Sequence, residues 1–214
     1  MQAESKIQEA KFFLDAIRDC YNPIMYPDVV FYFNAFLGSA ISILEYLRHD
    51  YANEFDFKIG IDDRNFKSKF NEQAQKSPDK NIRKFQQWIT DKNVQIKKVD
   101  EIGKLLTIKR NRITHRRFEP LSVRIRYRYE VMTDQSHSKI KELIVPFSIN
   151  QPTNLEKEKL SQISTNLIDK KMVLQIDDNK TIDMEEACQT FLDKVKKIVD
   201  EAQKQFPLSS KLNK

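Results

Sequence analysis

The first part of the chain places its apolar residues three or four positions apart, which is the spacing of an amphipathic helix. Residues 4–20 are the first segment with this spacing, and the predicted helix ends before Pro23. The apolar stripe comprises Ile7, Ala10, Phe13 or Leu14, and Ile17. Residues 29–47 are apolar on almost all sides, which predicts a central helix surrounded by others. Because polar residues interrupt this run and charges flank it, we favour a core helix over a membrane span.

Three more helices are predicted before the pattern changes. Residues 51–62 read as a loop with extended character, and a short helix over 63–75 buries Phe66 and Phe70. The tripeptide Ser77-Pro78-Asp79 predicts a helix start, with a side-chain cap and proline at the first helical position. After a break at residues 91–93, a long apolar stripe predicts a helix that ends near Arg116, ahead of Pro120.

Beyond Pro120 the apolar period falls from 3.6 residues to two, as in half-buried strands. Residues 123–131 predict a strand with a basic outer face. A polar loop and a second strand over 143–147 complete a hairpin, and Pro146 confines that second strand to a sheet edge. Residues 150–170 permit a helix, 172–176 suggest another strand, and 177–179 a turn.

The final helix has a clear start, because Asp183 and Glu186 have the spacing of a capping box. The whole pattern predicts a mainly α fold: an antiparallel helical bundle with a small β-hairpin or sheet and a C-terminal helix. We assign 1–120 to the bundle, 121–182 to the β element packed on it, 183–206 to the C-terminal helix of the same domain, and 207–214 to a frayed tail.

Positive charge is concentrated in one window of the sequence. The net charge is +6, yet residues 109–128 hold eight basic residues and one acidic residue, so the rest of the chain is close to neutral. The basic residues are Lys109, Arg110, Arg112, Arg116, Arg117, Arg124, Arg126 and Arg128. Such a window attracts polyanions such as RNA, DNA or an anionic surface. The plainer alternative is a set of solvated charges at a helix end and on a strand face.

The remaining composition narrows the chemistry. Three glycines cannot build a P-loop or a Rossmann fingerprint. The three histidines are scattered and the two cysteines lack metal-ligand spacing, so we expect no metal and no cofactor. Two distant cysteines indicate a reduced, intracellular chain, and the amphipathic start at Met1 shows no signal peptide, which predicts a cytoplasmic protein.

The segment Arg110-Asn111-Arg112-Ile113-Thr114-His115 resembles the R-x4-H motif of the HEPN superfamily, including the polar residue after the arginine. The setting is similar as well: a helical domain, a motif near the end of a long helix, and an earlier apolar helix at residues 33–40. The resemblance covers about residues 1–117 and leaves the strands and the last helix unassigned.

This resemblance implies a metal-independent endoribonuclease, in a toxin or phage-defence context, that acts as a homodimer with a composite active site. His115 would be the general acid and base, Arg110 would bind the scissile phosphate, and Asn111 would orient the imidazole or the phosphate. Lys109, Arg112, Arg116 and Arg117 would be further phosphate contacts, and the binding track would continue along Arg124, Arg126 and Arg128. Glu45, alone on the apolar helix, would pair with an arginine of the motif or lie exposed.

Helical geometry bears on this mechanism. Arg110 and His115 are five positions apart, about 140° around a helix, so they meet only if the arginine curls round or a second copy supplies the partner. Two other readings stay open. One is a non-catalytic HEPN-like module that binds nucleic acid, a nucleotide, an antitoxin or a nucleotidyltransferase partner, and the other is a purely structural helical dimer.

Overall fold

The computed structural model describes residues 1–20, 26–115, 123–132, 138–146, 167–176 and 180–208. Its helices are α1 (Gln2–Asp19), α2 (Tyr26–Glu54), α3 (Phe66–Lys76), α4 (Lys80–Val94), α5 (Glu101–His115) and α6 (Met184–Gln205), and Gln95–Val99 is a π-helical segment. Its strands are β1 (Val123–Met132), β2 (Ser138–Pro146), β3 (Leu167–Gln175) and β4 (Thr181–Asp183). The predicted fold class, mainly helical with a small antiparallel sheet, is confirmed at this level.

Helix α2 lies at the centre of the bundle, as its apolar surface predicted. Helix α1 runs antiparallel to α2, so that the start of α1 meets the end of α2. There the carboxylate of Asp50 accepts hydrogen bonds from the backbone N–H groups of Gln2 and Ala3 at 2.9 and 3.0 Å. By length and composition the stretch Asp28–Glu54 could also cross a membrane, but half of its most apolar window is buried against the rest of the chain. Burial against other helices of the same chain is expected of a helix in the core of the bundle.

The predicted loop over 51–62 is wrong at its start, because α2 continues to Glu54. Tyr51 is buried and stacks on Phe85 of α4 with ring centroids 3.7 Å apart. Its hydroxyl lies 3.1 Å from the carbonyl oxygen of Ala202 and 2.5 Å from that of Phe206. Contacts with α4 and α6 therefore extend the helix beyond the apolar run.

Two helix boundaries differ from those predicted. The cap of α4 is Asp79 rather than Ser77, since the Asp79 carboxylate accepts a hydrogen bond from the N–H of Asn81 at 2.6 Å. The predicted break at residues 91–93 is wrong as well, because helical structure runs on to Val99 and stops at Asp100, whose backbone is extended. Asp100 then caps α5 by accepting a hydrogen bond from Gly103 N–H at 2.8 Å.

Gly103 makes this corner possible. A Cβ atom at this position would lie 2.2 Å from the carbonyl oxygen of Ile96, a backbone atom that has little room to move. We expect Gly103→Ala to lower the free energy of unfolding by about 1–3 kcal/mol, as overpacked sites do. Urea denaturation monitored by circular dichroism measures this change in the free energy of unfolding. Gly38→Ala is the control: a Cβ atom placed at this position would have no neighbour within 4 Å beyond the nearby turns of its own helix, so the substitution should stabilise α2 by about 0.5–1 kcal/mol. Equal midpoints for the two variants would contradict the steric argument.

The four strands form one antiparallel sheet in the order β2-β1-β3-β4. The predicted hairpin is confirmed, and Pro146 ends the edge strand β2. Where a helix was considered over 150–170, residues 167–170 belong to β3, while 147–166 and the predicted turn at 177–179 lie outside the described residues. The sequence did not predict strand β4, because its three residues are too few to show an alternation of apolar and polar positions. Ile125, Tyr127, Met172 and Leu174 join the hydrophobic core, so this face of the sheet packs on the helices.

Helix α6 closes the bundle as predicted. The Asp183 carboxylate caps it, accepting hydrogen bonds from the N–H groups of Glu185 and Glu186 at 3.0 and 3.2 Å. Its buried stripe is Met184, Ala187, Cys188, Phe191, Leu192, Val195, Ile198, Val199 and Ala202. Of the tail predicted over 207–214, Leu208 packs against the core, and residues 209–214 lie outside the described part of the chain.

Candidate functional site

The motif predicted from the sequence lies on the last two turns of α5. Leu105 and Leu106 anchor this helix in the core, and α5 ends at His115. Arg110 is half-buried and Asn111 is exposed, with Nη1 of the arginine 3.4 Å from the side-chain oxygen of the asparagine. Arg110 and Asn111 therefore reach the same surface.

Other predicted site residues fall outside the part that the structure describes. The side chains of Arg112 and His115 are not among the described ones, and neither are Arg116 and Arg117. The relation between His115 and Arg110 thus stays a prediction from helical spacing. Lys109 is described and is only 5% exposed, so it belongs to the interior of the bundle rather than to a surface that RNA would contact.

A cationic cluster lies beside the motif and was not predicted. It consists of Arg48 from α2, Lys67 from α3, Lys97 from the π-helical segment and Arg110 from α5, with Glu45 of α2 among them. For Glu45 the sequence left open a pair with a motif arginine or simple exposure; the structure pairs it with Lys97, whose Nζ lies 3.8 Å from the Glu45 Oε1 atom, and leaves it 47% exposed. The members come from four elements, and no periodicity in the sequence connects them.

Arg48 forms the buried part of the cationic cluster. Its side chain is fully buried, and Nη2 donates to the carbonyl oxygen of Ile89 at 3.3 Å. Among the described residues, no atom accepts a hydrogen bond from its Nε or Nη1. Burial lowers the pKa of Arg48 to about 10, and the carboxylate of Glu45 opposes that shift.

Lys97 links the cluster to the motif. Burial lowers the pKa of Lys97, Glu45 opposes the shift, and the positive charges of Arg48, Lys67 and Arg110 lower the pKa further. The effect of Arg110 on Lys97 thus connects the motif arginine with the other cations of the cluster. An anion placed there would relieve repulsion between these like charges.

One of the three strand arginines, Arg128, is paired with carboxylates. Arg124, Arg126 and Arg128 are partly exposed and alternate with the core residues of β1. Arg128 is neutralised by two neighbouring strands, because it lies 3.4 Å from Glu142 of β2 and 3.3 Å from Asp169 of β3. The predicted binding track along β1 is accordingly interrupted by carboxylates at Arg128.

Within the described ranges, no three His, Cys, Asp or Glu residues come together as a potential metal site. Cys20 and Cys188 are buried thiols, and burial raises the pKa of both. The groups beside the motif in the described part of the chain are thus guanidinium, ammonium and amide groups together with the carboxylate of Glu45.

Comparison with known proteins identifies no relative. No protein-family model, curated protein or solved structure matches the chain. The resemblance to the HEPN superfamily accordingly depends on the motif and its helical setting.

Proposed function

We propose that the protein is a metal-independent endoribonuclease of the HEPN type, with Arg110 and His115 at its active site. What carries the proposal is the R-x4-H motif at the end of a helix, with Arg110 and Asn111 at the surface beside a cationic cluster. Positive potential at this point attracts the RNA backbone before any base is read.

The proposed chemistry needs one proton carrier and one fixed charge. His115 takes the proton of the ribose 2′-hydroxyl or gives a proton to the departing 5′ oxygen. The 2′ oxygen bonds to phosphorus as the bond to the 5′ oxygen breaks, leaving a 2′,3′-cyclic phosphate and a 5′-hydroxyl. Arg110 stabilises the charge that develops on the phosphate oxygens, since its planar fork matches two of them.

A second copy of the chain completes this site in the proposal. On one helix Arg110 and His115 lie about 140° apart, so the partner protomer brings the missing group to each cleft. Ile108 is 40% exposed and three positions before Asn111, on the same helix face. It would give the facing copy an apolar contact beside the motif.

The test is cleavage of an end-labelled RNA in excess EDTA, with the product termini identified. We expect cyclic-phosphate ends from the wild-type protein and a loss of about 100–1,000-fold in rate for Arg110→Ala, as for removal of a charge-stabilising donor. Lys104→Ala is the matched control, because Lys104 is an exposed cation on the same helix. Cleavage that stops in EDTA, or that Arg110→Ala leaves unchanged, would refute the proposal.

A non-cutting, HEPN-like binding module for a nucleic acid or protein partner is the second candidate. The positive charges of Arg48, Lys67 and Lys97 near Arg110 favour it, because a group of cations can hold a phosphate group without any proton carrier. RNA binding that is intact in His115→Ala, with no cleavage by the wild-type protein under any condition, would assign this function instead.

A further inference from the structure

We infer that the open pocket at the start of α3, together with Lys98 of the π-helical segment, contacts the sugar-phosphate backbone of an RNA strand that is bound at Arg110. The pocket has a volume of about 390 Å³ and is lined by Arg64, Asn65, Lys67, Ser68 and Asn71. RNA as the occupant rests on the proposed function, whereas the attraction of this surface for a phosphate backbone rests on the pocket and its charges.

The lining of this pocket is cationic and polar. Arg64 and Lys67 are exposed, and no carboxylate is among the lining residues. The acid that precedes Arg64, Asp63, is engaged by Lys69, whose Nζ lies 3.0 Å from the Asp63 Oδ2 atom. Within the described ranges, the side chains of Arg64 and Lys67 have no hydrogen bond and no ion pair. Both cations are therefore available to an anion that enters the pocket from solvent.

The π-helical segment continues this positive surface toward the motif. Burial lowers the pKa of Lys67, and the positive charges of Arg48 and Lys98 lower it further. Lys98 is exposed, so its ammonium group is a neighbour of Lys67 that solvent can reach. The pKa of Lys97, lowered first by burial, also responds to the charges of Lys67 and Arg110. Lys97 thus connects the pocket with the motif arginine.

The shape of the pocket favours a polymer over a small molecule. Sites for small molecules bury about 70–90% of their ligand. Here four of the five lining residues are exposed, so a phosphate bound among them keeps much of its contact with water. A nucleic-acid backbone needs no enclosure, because each phosphate that is neutralised releases counterions and adds to the affinity. The hydroxyl of Ser68 and the amide of Asn71 are groups that commonly contact phosphate and sugar oxygens.

The experiment measures binding of a labelled single-stranded 2′-O-methyl RNA to the full chain by fluorescence anisotropy over a range of salt concentrations. This RNA lacks the 2′-hydroxyl, so it stays intact in the wild-type protein. In the triple variant Arg64→Gln/Lys67→Gln/Lys98→Gln, the slope of log affinity against log salt should fall by about two, since each contact with a single-stranded phosphate contributes about 0.7. The three side chains are exposed, and circular dichroism checks that the variant is folded.

The control is Lys11→Gln/Lys196→Gln/Lys204→Gln, which removes the same charge from exposed positions of α1 and α6. Neither helix contributes a residue to the pocket, so the control should keep the wild-type slope. Equal slopes for the two triple variants, or no RNA binding by the wild-type protein, overturn the inference. The RNA cleavage assay is a separate readout: RNA binding that depends on the pocket in a protein that never cuts RNA supports this surface and refutes only the ribonuclease activity.

Discussion

Replacing His115 by alanine should reduce the rate of RNA cleavage by about 100–10,000-fold, which is the usual contribution of a general acid–base group. The imidazole is the one group in the motif whose proton affinity is suited to transfer near neutral pH. The measurement is single-turnover cleavage of a labelled RNA in EDTA. RNA binding should change little in the same variant, because a neutral ring contributes little to phosphate affinity. A parallel loss of binding and cleavage would indicate a structural role for His115.

Mixing two inactive variants tests whether the site is shared between protomers. If Arg110 of one copy works with His115 of the other, an Arg110→Ala/His115→Ala heterodimer has one intact site. Random exchange of subunits makes half of the dimers mixed, so the mixture should recover about a quarter of wild-type activity. Each variant alone stays inactive. A mixture as inactive as its components would refute the exchange of residues between protomers.

Phe85→Ala should lower the free energy of unfolding by about 3–5 kcal/mol, the cost of removing a buried phenyl ring. Phe85 is fully buried and contacts rings from three other elements. It stacks on Tyr51 at 3.7 Å between centroids, and meets Phe70 and Phe206 edge-on at 6.2 and 5.5 Å. The cavity would therefore weaken the contacts of α4 with α2, with α3 and with the end of α6 at once.

Urea denaturation measures this loss, and fluorescence provides a local probe. The single tryptophan, Trp88, lies next to Phe85 and Phe206 at 6.1 and 5.7 Å, so its emission reports on this aromatic cluster. Phe12→Ala is the matched control, because Phe12 is 64% exposed and its removal should cost less than about 0.5 kcal/mol. Similar losses for the two phenylalanines would contradict the central place of Phe85.

The sequence by itself determined the elements with strong periods. Amphipathic stripes identified α1, α3, α5 and α6, the alternation from Val123 onward identified β1, and the Asp183 cap was visible as a short-range motif. These features depend on neighbours within four or five residues, so the linear order of the chain is enough to reveal them. The position of Arg110 and Asn111 near the end of a helix belongs to the same class.

The tertiary structure decided where those elements end and which charges meet. Tyr51 prolongs α2 through contacts with α4 and α6, and Gly103 permits a corner at Asp100 because α5 packs tightly on Ile96. Arg48 and Lys97 are far apart in the sequence, and nothing in their local patterns distinguishes them from solvated cations. Only the tertiary fold brings the two cations near each other, with Glu45 of α2 paired to Lys97, and burial then lowers the pKa of both groups.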